Sequence, residues 1–308
     1  MSMSMSMSLN NLNLNLGAMG YSAPRYNTED FPKLNPPNTP ANIALPTSYS
    51  PDWDPELRTW AFIREFIVNI AWATARDPII SIYTDLHNQA QVFVPFAQNP
   101  PPGGPAPPAA GKPLQPADLA QQVIAVLDAS IDRADRALEI LDQATGPGAL
   151  HYWTGLLRID PSKDKSTFLL MMVALKIGEF VAMGLKDIYR MRRPAQVYPW
   201  IMPLIDGPDT PSYPSSHSLQ AHLISGALVL ALAANNGQTA NALRSLSDRV
   251  AYNREVAGVH YGMDSAAGAY VANLCLNGLT AAAGGGVPGA VLFQALVVAA
   301  TAELQNLP

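Results

Sequence analysis

Three short stretches of this 308-residue chain carry side chains able to do chemistry on an anion. The first, Lys186-Asp-Ile-Tyr-Arg-Met-Arg-Arg193-Pro194, gathers cations in a chain that holds only 19 Lys and Arg. The second, Pro211-Ser-Tyr-Pro214-Ser215-Ser216-His217, stands directly before an apolar run. A serine cap leaves amide donors at the positive end of a helix, where anions bind, and a His in the first turn sits beside such an anion as a proton donor. The third, Asn253-Arg254-Glu-Val-Ala-Gly-Val-His260-Tyr-Gly-Met-Asp264, puts a carboxylate four residues after an imidazole. On a helix or tight turn that carboxylate reaches a ring nitrogen and sets its tautomer. Arg254 precedes His260 by one and two-thirds helical turns, close to the same face. Each stretch alone also has a plain structural reading: cations at a helix C-terminus, a capping segment, a surface His–Asp pair.

The elements that must position these residues read as helices. One is expected from Pro55, capped by Asp54, with Trp60, Ile63, Phe66, Ile67, Ile70 and Ala71 as its apolar stripe. Asp77-Pro78 breaks it, and a second apolar segment runs from Ile79 to Phe96. Over 117–144 a helix is expected with Leu119, Val123, Val126, Leu127, Ile131, Ala134, Leu138 and Leu141 facing a core. Asp132, Arg133, Asp135, Arg136 and Glu139 are then its solvated face, and Gly146-Pro147-Gly148 closes it. Further helices are expected over 165–190, 218–235, 239–259, 265–283 and 290–304. Strand signals are nearly absent, so the fold class is all-α, a helical bundle. By composition, 1–20 is a low-complexity repeat tail and 21–57 an extended arm. A helical scaffold half follows over 58–150, interrupted by a Pro-rich surface loop at 99–116, and then a helical catalytic half over 151–308.

Bulk properties narrow the function. Nearly half the residues are apolar and 14% are charged, enough to bury a substantial core. A net charge of −5 with a pI near 5.5 argues against a nucleic-acid partner, which demands a basic stripe. With Cys275 as the sole cysteine, neither an intrachain disulfide nor a thiolate metal cluster can form. The start, MSMSMSMSLNNLNLNLGAMG, lacks the basic residues and apolar block of a secretory signal, so the expectation is a soluble, cytoplasmic protein. No segment reads as a transmembrane span: 168–185 contains Lys176 and Glu179, while 219–234 and 292–302 are short.

Together and in this order, the three stretches resemble the type 2 phosphatidic acid phosphatase (PAP2)/vanadium haloperoxidase superfamily. Its pattern is Lys, six residues, Arg-Pro; then Pro-Ser-Gly-His; then Ser-Arg, five residues, His, three residues, Asp. The resemblance covers about 160–280, with Ser216 in place of the glycine and Asn253 in place of the serine. It implies a helical bundle of that type in which Lys186, Arg193, Ser215, Ser216, Arg254 and His260 bind phosphate or vanadate. The implied catalytic residues are His260, His217 and Asp264: apical nucleophile, leaving-group acid, and orienter of His260. A phosphoric monoester hydrolase of this kind needs no cofactor. A haloperoxidase would use vanadate, with His260 as the vanadium ligand, together with peroxide and halide. Chloroperoxidases of the family carry a Trp three residues before the motif lysine and a Phe five before the motif serine; here these are Met183 and Thr210. The phosphatase reading is therefore preferred, the haloperoxidase is the alternative, and a non-catalytic oxyanion-binding protein is the weakest. The expected partner is a small-molecule phosphoester or vanadate, and the oligomeric state stays open, homo-oligomer included. His87, His151 and His222 match no motif position and suggest no metal set.

Overall fold

The computed structural model describes residues 55–70, 72, 77–102, 112–144, 150–232, 237–282 and 289–305. The repeat tail, the arm up to Asp54, the centre of the Pro-rich loop and Gly146-Pro147-Gly148 lie outside them. What is described is almost entirely helical. In chain order come α1 (Pro55–Val68), α2 (Pro78–His87), α3 (Pro116–Ala129), α4 (Arg133–Gln143), α5 (His151–Leu157), α6 (Lys165–Tyr189), α7 (Pro194–Val197), α8 (Ser216–Ala231), α9 (Gly237–Val256), α10 (Gly262–Thr280) and α11 (Val291–Leu304). Phe93–Val94 and Lys112–Pro113 add one short parallel pairing across the Pro-rich loop, so the apolar segment after Asp77 is part helix, part strand.

Helix α8 is the axis. Helices α6, α9 and α10 pack around it, α11 packs against both α6 and α8, and α1 packs against α6. Helix α8 can be surrounded because it is apolar nearly all round: Leu219, Leu223, Ile224, Ala227, Leu228 and Ala231 are all buried. Helix α10 comes close through Gly268, where a Cβ would stand 2.8 Å from the Ser215 carbonyl and 2.9 Å from the Leu219 nitrogen. Buried hydroxyls tie the bundle where apolar packing alone leaves register loose. Ser247 Oγ donates to the Ala221 carbonyl at 2.8 Å and Trp153 Nε1 to Ser225 Oγ at 2.8 Å. Buried Glu65 of α1 accepts the Leu292 and Phe293 amides at 2.7 and 2.9 Å, satisfying donors that the start of α11 cannot satisfy itself.

Two expected apolar stripes need correction. In α1, Ala61, Phe62, Ile63 and Phe66 are buried, while Trp60 is 64% exposed. The expected helix over 117–144 is broken by a 3₁₀ turn, Ser130–Asp132. Such a turn has 3.0 residues rather than 3.6, so it rotates everything that follows. Ile131 and Leu138 are consequently 81% and 84% exposed, and the inner face of α4 carries Ile140 and Gln143. Of the charges assigned to a solvated face, Asp135 stays exposed, whereas Arg133, Arg136 and Glu139 turn inward. Arg133 donates to the Val256, Met202 and Ile201 carbonyls, and Arg136 donates to Asn253 Oδ1 at 2.9 Å.

The segment Lys165–Val197 is long and apolar enough to cross a membrane by length and composition. Here more than half of its most apolar window is buried against other helices.

Candidate active site

All three stretches meet at the N-terminal end of α8. Lys186 lies in the last turn of α6, where Lys186 Nζ donates to the Pro211 and Ser212 carbonyls. Arg193 follows the end of α6 and caps α7. Its guanidinium is spread across the 210–211 backbone and Val259: Nε to the Thr210 carbonyl at 2.8 Å, Nη1 to the Val259 carbonyl at 2.7 Å. Ser215 caps α8 and its hydroxyl accepts the Ser218 amide, while its own amide donates to the Asp264 carbonyl at 3.0 Å. That amide is therefore already used. The amides of Ser216 and His217, first and second in α8, are the ones without an intrahelical acceptor. Ser216 is helical and has no positive φ, so serine in place of glycine costs no backbone strain here.

The third stretch delivers the imidazole–carboxylate pair across the turn between α9 and α10. Gly258, at φ +81°, makes the reversal; a Cβ there would also meet Arg133 Nη2 at 2.8 Å. His260 Nδ1 lies 3.0 Å from Asp264 Oδ2. A carboxylate oxygen accepts, so Nδ1 carries the hydrogen and Nε2 keeps its lone pair. Into that lone pair Arg193 Nη1 donates at 3.2 Å. Asp264 Oδ2 also accepts the Tyr261 amide at 3.0 Å and the Ser212 hydroxyl at 2.5 Å. Ser212 thus serves twice, as Asp264 donor and as Lys186 acceptor. It lies within the second stretch, but only its neighbours looked chemical in sequence.

Arg254, in the last turn of α9, is 1% exposed and donates through Nη2 to the Ile140 carbonyl at 3.1 Å and Gln143 Oε1 at 3.2 Å. Its Nε and Nη1 are buried with no hydrogen-bond partner among the described residues. His217 Nε2 donates to the Gln143 carbonyl at 3.2 Å. Gln143 comes from the first half of the chain and had no signal in sequence, since only the 3₁₀ turn decides that it faces inward.

Burial sets the titration of the cluster. His260 is held well below the usual imidazole value, first by burial and then by Arg193, Lys186 and Arg254. His217 is likewise lowered, by burial, Arg254 and His260, with the Gln143 carbonyl pulling the other way. Lys186 is lowered by burial and by Arg193, while Asp264 is raised by burial, to about 6, against its hydrogen bonds and the nearby cations. Arg193 and Arg254 fall to about 10 through burial and stay cationic at neutral pH. Two buried arginines, with Lys186 brought down to about 7 beside them, outweigh the one carboxylate and leave net positive charge inside the protein, a costly arrangement unless an anion completes it.

Next to this cluster a cavity of about 410 Å³ opens along Arg192, Arg193, Thr210 and Val259. Thr210 accepts from Arg193 through its carbonyl and hydroxyl, so a polar bond stands where the chloroperoxidase pattern has a Phe. Met183 is partly exposed on α6. The other histidines are engaged elsewhere: His87 Nδ1 with the Tyr83 carbonyl, His222 with the Ser218 carbonyl and Asp248, and His151 with Asp142.

Residues 167–284 match the family model described as the PAP2 superfamily. No curated protein matches the chain.

Proposed function

We propose that this chain, which carries a PAP2 superfamily domain over residues 167–284, is a phosphoric monoester hydrolase that works through a phosphohistidine. The observation that carries this reading is the buried His260, with Nδ1 held by Asp264 and a lone pair on Nε2, set among Lys186, Arg193 and Arg254. Most members of the superfamily are phosphatases, which supports the reaction class.

In this reading Arg254 Nε and Nη1, with Lys186, Arg193, the Ser215 hydroxyl and the Ser216 and His217 amides, bind the non-transferring oxygens. They neutralise charge that grows in the five-coordinate transition state. The phosphate takes over the Arg193 donor that otherwise occupies His260 Nε2. That nitrogen attacks phosphorus, the ester P–O bond breaks, and His217 gives its proton to the departing alkoxide. Asp264 stabilises the positive imidazole as the carboxylate of a triad does. His217 then takes a proton from water, whose oxygen attacks the phosphohistidine and releases inorganic phosphate.

The same donor set and the His260 lone pair fit vanadate, which would supply peroxide activation when bound. Thr210 and Met183 give that reading no support. The test is a direct comparison on purified protein. Hydrolysis of alkyl and aryl phosphates without added metal, competitively inhibited by vanadate at low concentration, is expected. Peroxide-dependent bromination after vanadate loading, with no phosphatase activity, would overturn the proposal.

A further inference from the structure

We propose that the C-terminal turn of α4 forms one wall of the active site, and that its last residue, Gln143, is a positioning residue for Arg254. The inference rests on the phosphatase reading above. A helix cannot satisfy its last four carbonyls internally. In α4 these belong to residues 140–143, and the Ala144 amide takes that of Leu141 at 3.2 Å. Of the others, Ile140 and Gln143 are turned to the site. Ile140 accepts from Arg254 Nη2 at 3.1 Å and Gln143 from His217 Nε2 at 3.2 Å. The negative end of α4 thus faces the two groups that must be cationic during the reaction.

The Gln143 side chain finishes the arrangement, and it is fully buried. Its Oε1 accepts from Asn253 Nδ2 at 2.9 Å and Arg254 Nη2 at 3.2 Å, while its Nε2 donates to Glu139 Oε1 at 3.0 Å. Glu139 is held in turn by Arg249. An amide flipped by a half-turn would set donors against donors and oxygen against oxygen, so its orientation is unique. With Nη2 given two fixed acceptors on α4, the guanidinium plane is set, and Nε and Nη1 remain for the oxyanion. His217, with Nε2 on a backbone carbonyl, has Nδ1 for the leaving group.

The two contacts separate in experiment, because the side chain holds Arg254 whereas the backbone holds His217. Inorganic phosphate affinity would be measured by calorimetry at pH 5.5 on the full chain, alongside turnover of an alkyl phosphate and p-nitrophenyl phosphate. Gln143→Met keeps the length and removes the acceptor; it should weaken phosphate about 10-fold, the scale of a hydrogen bond to a charged group. Both esters should fall by the same factor, since the leaving-group acid is untouched. Gln143→Glu, protonated at this pH beside Glu139, keeps an acceptor for Arg254 and a donor for Glu139 and should restore affinity to within about threefold of the parent. If Gln143→Met does not fold, Gln143→Asn, which withdraws the amide by one methylene, should give the same loss. A folded Gln143→Met or Gln143→Asn binding phosphate like the parent would overturn the positioning role, and so would loss confined to the alkyl ester. A parent protein with neither phosphate binding nor turnover would instead sink the phosphatase reading.

Discussion

His217 and His260 share a burial penalty but hold their protons differently, and the difference predicts how each fails. Loss of His260, whose Nε2 is the proposed nucleophile, should abolish turnover of every phosphoester and sharply weaken vanadate. Loss of His217 should slow alkyl phosphates by about 10²–10⁴-fold and p-nitrophenyl phosphate far less, because nitrophenolate leaves without a proton. Equal losses on both esters for His217→Ala would show that it is not the leaving-group acid. The pH dependence follows from the same geometry. Burial, Arg254 and His260 hold His217 below 6.5, so the protonated acid is depleted as pH rises through that lowered value. For an alkyl phosphate kcat/KM should fall with rising pH in the parent, and the limb should vanish in His217→Ala.

Among the elements, the contact of α10 with the N-terminus of α8 matters most, since it joins Asp264 to Ser215. The two backbones touch there: the Ser215 amide donates to the Asp264 carbonyl, and Gly268 lies one helical turn on. Gly268→Ala would press a methyl against the Ser215 carbonyl and the Leu219 nitrogen, both backbone atoms that cannot rotate away. It should destabilise the fold by about 1–3 kcal/mol, read as a lower midpoint in urea, and weaken vanadate inhibition as the two stretches separate. An unchanged midpoint would mean that α10 shifts freely. At this scale the sequence was legible where one period ran unbroken: α6, α8, α9 and α10 lie within a few residues of expectation. It was not legible across Ser130–Asp132, because a 3₁₀ turn leaves no compositional mark yet rotates the next helix.

For the molecule as a whole, the cost of the site is shared by the bundle until an anion arrives. Both imidazoles have folded values below 6.5, so the unfolded chain takes up protons first and stability falls as pH drops below about 6.5. Asp264, raised to about 6 from 3.8, acts oppositely between those values, as do Glu255 and Asp85, both raised by burial, while His87, lowered by burial, acts with the two imidazoles. Without ligand, thermal midpoints should therefore fall from pH 7 to pH 5. Phosphate at 100 times its dissociation constant should add about 2.7 kcal/mol, a rise of roughly 5–10 °C in a domain this size. Arg254→Met should lose that rise, and retention of it would remove Arg254 from the anion site.

What the sequence by itself determined is the inventory and the order. The cation-rich end of α6, the serine cap with its histidine, and the imidazole–carboxylate pair are local patterns, each contained within about a dozen residues, and the family match spans the same region. Local patterns survive in a sequence because helix spacing and capping act over one or two turns. Only the tertiary structure decided which other groups join them. Gln143 stands 74 residues from His217 and 111 from Arg254, and no periodicity spans such a gap. Its place depends on a single tight turn, on the packing of α4 against α9, and on a buried amide whose every neighbour fixes its orientation. Ser212 became visible for a related reason: a hydroxyl 52 residues from Asp264 acquires a role only when the bundle closes around both.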